Sequence, residues 1–119
     1  MNIKESGEMY LETIYLLSLK QEIVRSLDIA NNMGFSKPSV SRAVHLLEDD
    51  GYIKFDENGN ITLTKVGYEH AKKVYDRHVT LTKMLESFGV DKETAESDAC
   101  KMEHVISDKS LEAIKKHIG

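Results

Sequence analysis

The sequence predicts a mainly α-helical fold with one small β-hairpin, and three observations carry that expectation. Apolar residues recur at helical spacing through most of the 119 residues. Two short segments of alternating apolar and polar residues flank Asn58-Gly59, a hairpin signal. The chain has a single proline, Pro38, so little of it is barred from helix.

Residues 4–20 are apolar at Met9, Tyr10, Leu11, Ile14, Leu16 and Leu17, which predicts the first helix. Ser26 is the expected N-cap of a second helix through Leu27, Ile29 and Ala30 to about Met33, ended by Gly34. A third follows Ser36, with Pro38 in its first turn, where a missing N–H costs little. Val40, Ala43, Val44 and Leu47 form its apolar face, and Gly51 stops it. Residues 52–56 and 60–64 are the predicted strands. Thr64 is placed to cap a long helix from Lys65 to about Phe88, terminated by Gly89. Asp91 caps a further helix carrying Cys100, and Ser107 a last one ending near His117. Three helices, a hairpin and a helix, in that order, are the layout of a winged helix-turn-helix, with the turn at Met33-Gly-Phe-Ser36.

Composition narrows the function classes. With 40% hydrophobic and 30% charged residues, the chain has enough apolar content for a core, which excludes a disordered tail. One cysteine cannot staple the fold. No apolar run approaches the roughly 18 residues of a membrane span, so the expected location is cytoplasmic, with no membrane partner. The net charge of −4 lies entirely in residues 1–63, which carry six Lys/Arg against ten Asp/Glu. An acidic chain binds nucleic acid poorly unaided, because affinity rests on cations meeting phosphates. Bound divalent cations would offset that deficit.

The third helix nevertheless has no acid before Glu48. Ser36, Lys37, Ser39, Ser41 and Arg42 lie on its first two turns, away from the apolar face. Hydroxyls and two cations at a helix N-terminus suit phosphate anchoring and limited base-edge contact. Ser26 and Pro38, each opening a helix of the motif, complete the expected DNA-binding set. His45 is expected to be a surface residue.

Chemistry concentrates elsewhere. Cys100, Glu103 and His104 are spaced i, i+3, i+4, so on a helix they share a face. Thiolate, carboxylate and imidazole together form a ligand set for a divalent transition metal. Met9 and Glu12 share a face of the first helix, and His78 sits midway along the long one. These six converge only if three helices pack together, which would tie a DNA-reading head to the helical remainder. Cysteine and histidine one turn apart could instead be nucleophile and base. No oxyanion loop, phosphate cradle or orienting third residue accompanies them, so no enzyme is expected. A redox or organic-ligand sensor working through Cys100, and a metal-binding module that touches no DNA, are the other readings.

Three segments resemble the diphtheria-toxin-repressor family of metal-dependent regulators. They are Glu8-Met-Tyr-Leu-Glu-Thr-Ile-Tyr15, Ser36-Lys-Pro-Ser-Val-Ser41 and Asp98-Ala-Cys-Lys-Met-Glu-His-Val-Ile-Ser-Asp108. The last is the most specific. The resemblance implies a winged helix-turn-helix domain over 1–63 and a helical metal-binding and dimerisation domain over 64–119, in a homodimer bound to double-stranded operator DNA. It matches the family's short form, without an SH3-like domain. By the same resemblance Met9, Cys100, Glu103 and His104 match the primary site of iron-type members. His78 matches a ligand shared by the iron and manganese types, and Glu12 a carboxylate of the manganese type. Thr82 and Glu96 replace a carboxylate and a histidine of the iron-type second site, and so depart from it. Thioether and thiolate favour Fe²⁺, Co²⁺, Ni²⁺ or Zn²⁺ over Mn²⁺. Fe²⁺ is the expected effector, because availability selects among them, and Mn²⁺ is the alternative.

Overall fold

The computed structural model describes residues 5–118; the expected helical start at Lys4 lies outside them. Six helices and two strands follow in the predicted order: α1 Glu5–Lys20, α2 Ser26–Met33, α3 Lys37–Asp49, β1 Ile53–Phe55, β2 Ile61–Leu63, α4 Lys65–Ser87, α5 Lys92–Met102 and α6 Asp108–Ile118. The fold is mainly α with a two-stranded wing, as expected. The chain forms two compact units that meet between Lys72 and Lys73, inside α4. Among the described residues no helix is long and apolar enough to cross a membrane.

In the first unit α1, α2 and α3 pack on one another and on the hairpin. Leu11 and Ile14 of α1, Ile29 of α2 and Val40 and Val44 of α3 are all at most 1% exposed. Each such side chain contributes about 1.5–3 kcal/mol by leaving water, which outweighs any single surface contact. Ser36 caps α3: its Oγ accepts from the Ser39 N–H at 3.3 Å and donates to Ser39 Oγ at 2.9 Å. At α2 the position expected for Ser26 is corrected. Arg25 holds the N-cap position in extended backbone, and its N–H donates to Asp28 Oδ2 at 2.8 Å. The helix gains its cap from the acid in its first turn, so Ser26 is already helical.

The strands pair antiparallel, Ile53 opposite Leu63 and Phe55 opposite Ile61. Asp56 N–H donates to Asn60 O, which leaves a three-residue loop, 57–59, with Gly59 at φ 79°. That conformation costs a glycine nothing and closes this loop type. Asp56 Oδ1 also accepts the N–H groups of Asn58 and Asn60 at 2.8 and 2.9 Å. The Asn60 backbone N–H is the main reason its carboxyl sits below the usual aspartate range. Ile61 N–H donates to Val24 O at 2.7 Å, which docks the wing against the segment before α2.

Thr64 caps α4 as expected: its Oγ1 accepts from the Gly67 N–H at 3.1 Å and reaches Gly51 O at 2.7 Å. Within the same unit Glu8 of α1, 7% exposed, pairs with His70 Nε2 of α4 at 2.7 Å. The Tyr52 ring lies edge-on to His70.

In the second unit Val74 and Leu81 of α4, Ala95 and Ala99 of α5 and Leu111 of α6 are buried. Asp91 caps α5 by accepting the Thr94 N–H at 3.0 Å. Ser107 caps α6, accepting the Ser110 N–H at 3.1 Å.

Candidate metal centre

The helix bearing Cys100 stops at Met102, earlier than the shared-face expectation requires. Glu103 is its C-cap, still in helical backbone with its N–H on Ala99 O, and the chain then turns: the N–H groups of Val105 and Ile106 both donate to Met102 O. Glu103 thus keeps its helical direction, whereas His104 belongs to the turn. The reason lies outside α5. The chain must bend here to begin α6, and Arg77 of α4 takes the Glu103 carbonyl at 3.3 Å, a group a continued helix would have used itself.

The bend places Glu103 at the centre of a cluster within the second unit. Its residue is 0% exposed. Oε2 lies 3.0 Å from His78 Nδ1, and Oε1 lies 3.3 Å from His104 Nε2. The His104 side chain is 3% exposed and that of His78 24%. Neither carboxylate oxygen of Glu103 accepts a hydrogen bond, because these approaches have ion-pair distances without hydrogen-bond alignment. Burying a carboxylate whose oxygens are unsatisfied is costly. Two imidazole nitrogens beside it make a nitrogen and oxygen donor set suited to a divalent cation, whose charge and coordination bonds would offset that cost. The residues present therefore fit a metal.

Of the six ligands expected from sequence, His78 and His104 each lie beside Glu103 here, on different carboxylate oxygens. Cys100 is half-buried, one turn earlier on α5. Among the described residues neither Cys100 nor His104 belongs to a group of three candidate ligand atoms lying within 4.8 Å of one another. Met9 and Glu12 are half-buried on α1 in the first unit, three residues apart and so on one face. Thr82 of α4 is buried and donates to His78 O at 2.8 Å.

The expected DNA-facing residues lie on the first unit. Ser36, Lys37, Pro38, Ser41 and Arg42 are exposed around the start of α3, while Ser39 and Ser26 are half-buried. His45 is turned back onto its own helix, with Nδ1 2.7 Å from Ser41 O and its ring stacked on Phe55.

Arg77 is a residue of this region that the sequence does not single out. Its NH2 donates to Asp108 Oδ1 at 2.9 Å, and Lys73 Nζ donates to Asp108 Oδ2 at 3.0 Å. Arg77 first and Lys73 second hold the Asp108 carboxyl below the usual range. This pairing is therefore intact above the ordinary aspartate pKa of about 3.9 and is lost as pH falls through the lowered value. The only signal in the sequence is a cation directly before His78.

A helix-turn-helix head with a hairpin wing, followed by a helical unit in which two histidines flank the buried Glu103, defines a winged-helix regulator of the metal-dependent class. Residues 2–60 match the family described as iron dependent repressor, N-terminal DNA binding domain, and residues 64–119 match the metal binding and dimerisation domain of the same repressors. The chain belongs to the iron-dependent repressor family, whose members are transcriptional regulators and not enzymes. It is 36% identical over 115 residues to an uncharacterised HTH-type transcriptional regulator of Methanocaldococcus jannaschii, covering 95% of this chain and 92% of that one. It is 34% identical to the HTH-type transcriptional regulator MntR of Lysinibacillus sphaericus, covering 92% of this chain and 78% of that one. Among solved structures the manganese regulator SloR superposes with a TM-score of 0.84 at 29% identity, over 98% of this chain and 54% of that one. IdeR of T. acidophilum shares the fold, with a TM-score of 0.80 at 23% identity, over 98% of this chain and 55% of its own. This chain thus spans about half the length of these two solved proteins.

Proposed function

We propose that this protein is a homodimeric repressor that binds double-stranded operator DNA when Fe²⁺ occupies the site centred on Glu103. The observation that carries the reading is the buried Glu103 carboxylate, 3.0 and 3.3 Å from two imidazole nitrogens and accepting no hydrogen bond. In this reading Met9 and Glu12 from α1 join His78, Cys100, Glu103 and His104. Residues 1–63 read DNA, and residues 64–119 bind metal and dimerise. Bound metal supplies positive charge and directed bonds to the deprotonated ligands. Met9 and Glu12 fix the orientation of α1, and with it the head. Ser26, Ser36, Lys37, Pro38, Ser39, Ser41 and Arg42 then meet the two half-sites of a near-palindromic operator. Only a difference in metal affinity between the competent and incompetent arrangements shifts the population, so operator DNA reciprocally tightens metal binding.

A thioether and a thiolate in the ligand set support Fe²⁺. Mn²⁺ is the second reading. The nitrogen and oxygen character of the His78, Glu103 and His104 cluster favours it, as does the likeness to the manganese regulator SloR. An anaerobic gel shift with the chain's own upstream DNA, with Fe²⁺, Mn²⁺ or chelator, separates the two. The expected result is retardation with Fe²⁺ at lower concentration than with Mn²⁺, and none with chelator. Response to Mn²⁺ alone overturns the choice of iron, and binding indifferent to chelator but lost on oxidation would instead favour a sensor working through Cys100.

Arg42→Ala tests the DNA half. Loss of one exposed cation from α3 is expected to weaken operator binding by about 1–3 kcal/mol if it reads a base edge. Metal affinity of the free protein should stay the same. Fluorescence anisotropy with labelled operator, beside metal titration without DNA, gives both numbers, and unchanged operator affinity would remove Arg42 from the contact set.

A further inference from the structure

Resting on the metal-site reading above, we propose that Arg77 is a positioning residue that sets the geometry of the metal centre by clamping both ends of the segment between α5 and α6. Glu103 and His104 open that segment, and Asp108 closes it as the first residue of α6. One guanidinium reaches both ends, NH1 to the Glu103 carbonyl at 3.3 Å and NH2 to Asp108 Oδ1 at 2.9 Å. Arg77 also directly precedes His78 on α4, so the same residue ties the backbone of one candidate ligand to the helix that carries another.

Three features distinguish this from an ordinary surface ion pair. The Arg77 side chain is 13% exposed although its partner Asp108 is 60% exposed. Its Nε is buried and makes no hydrogen bond, so the guanidinium is held in this place at a cost. Its planar fork addresses two acceptors of different chemistry on different elements, which the point charge of a lysine cannot reproduce. Lys73 holds the other Asp108 oxygen at 3.0 Å and so fixes the carboxylate that NH2 grips.

Electrostatics and positioning predict opposite signs. Arg77 is a cation close to a cation site, so removing its charge should tighten metal binding if charge were its only influence. If it positions the Glu103 and His104 segment, removing it loosens binding, in the range of about 10–100-fold typical for groups that orient metal ligands. The experiment titrates the full-length protein with Co²⁺ under anaerobic conditions, following the visible absorption of the bound ion, for wild type, Arg77→Ala, Arg77→Lys, Asp108→Asn and Glu103→Gln. Metal-free circular dichroism and thermal melting report folding. The expected result is binding weakened about 10–100-fold with an altered Co²⁺ spectrum at saturation in Arg77→Ala, little rescue by Arg77→Lys, and a smaller loss in Asp108→Asn. Unchanged or tighter binding in Arg77→Ala overturns the proposal. If Arg77→Ala does not fold, Asp108→Asn decides, and wild-type affinity with the wild-type spectrum there overturns it. Absence of Co²⁺ binding in wild type, or full binding in Glu103→Gln, instead overturns the metal-site reading itself.

Discussion

Glu103→Gln is expected to abolish metal-dependent operator binding while leaving the metal-free protein as stable as wild type or more so. The two halves of this expectation come from one observation, a fully buried carboxylate with neither oxygen hydrogen-bonded. Without metal, glutamine has nearly the same shape and is less costly to bury than a carboxylate. With metal, the variant lacks the anionic donor at the centre of the cluster, and affinity should fall by more than the roughly 10–100-fold typical of merely supporting groups. Metal at about 100 times its dissociation constant should stabilise the wild type by about 2.7 kcal/mol. For a domain of this size that is a rise of roughly 10 °C in melting temperature. Thermal melts with and without metal should show that rise in wild type and none in Glu103→Gln. A variant that still gains the full rise, or still shifts operator DNA only when metal is present, would remove Glu103 from the centre.

The parts of this molecule legible in its sequence are those that short stretches of chain decide for themselves. Ser36 and Asp91 cap α3 and α5 where their hydroxyl and carboxylate predict, and Gly34, Gly51, Gly59 and Gly89 all adopt positive φ at the turns they were expected to make. What the sequence hides is settled by partners distant in the chain. Nothing between Met102 and Ser107 is a glycine or proline, so the i, i+3, i+4 spacing of Cys100, Glu103 and His104 reads as one continuous helix. The helix nevertheless ends there, and Arg77, 26 residues away, donates to the Glu103 carbonyl. The cap of α2 is hidden differently: Asp28 competes with Ser26 for the start of the helix and wins by one residue. The candidate ligand types were visible, but the burial of Glu103 between His78 and His104 was not, because a glutamate near a helix end is ordinarily solvated.

Gly67→Ala should be damaging to the first unit, although helix propensity alone predicts the reverse. Alanine is favoured over glycine inside a helix by about 1 kcal/mol. At this position, however, an added Cβ would stand 1.9 Å from the Tyr52 carbonyl oxygen and 2.8 Å from its carbon. The obstacle is backbone, so no side-chain rotation relieves it. That oxygen cannot simply withdraw, because it accepts the Thr64 N–H at 3.0 Å and lies 3.1 Å from Thr64 Oγ1. Thr64 Oγ1 in turn caps α4 through the Gly67 N–H. Separating Tyr52 from Gly67 therefore pulls the end of the wing away from the start of α4 and breaks the cap, itself worth about 1 kcal/mol. With overpacking at about 1–3 kcal/mol added, the propensity gain is outweighed and a net loss of roughly 1–3 kcal/mol is expected. That is a large share of the 5–15 kcal/mol that holds a domain together. Urea unfolding followed by helical circular dichroism should show the midpoint falling sharply for Gly67→Ala. The exposed neighbour Glu69→Ala should shift it little. A Gly67→Ala protein as stable as wild type would mean that α4 can start further from the wing than this packing allows. Operator binding should fall with stability even at saturating metal, because Thr64, Tyr52 and Gly67 join the hairpin to the helix that leads on to His78.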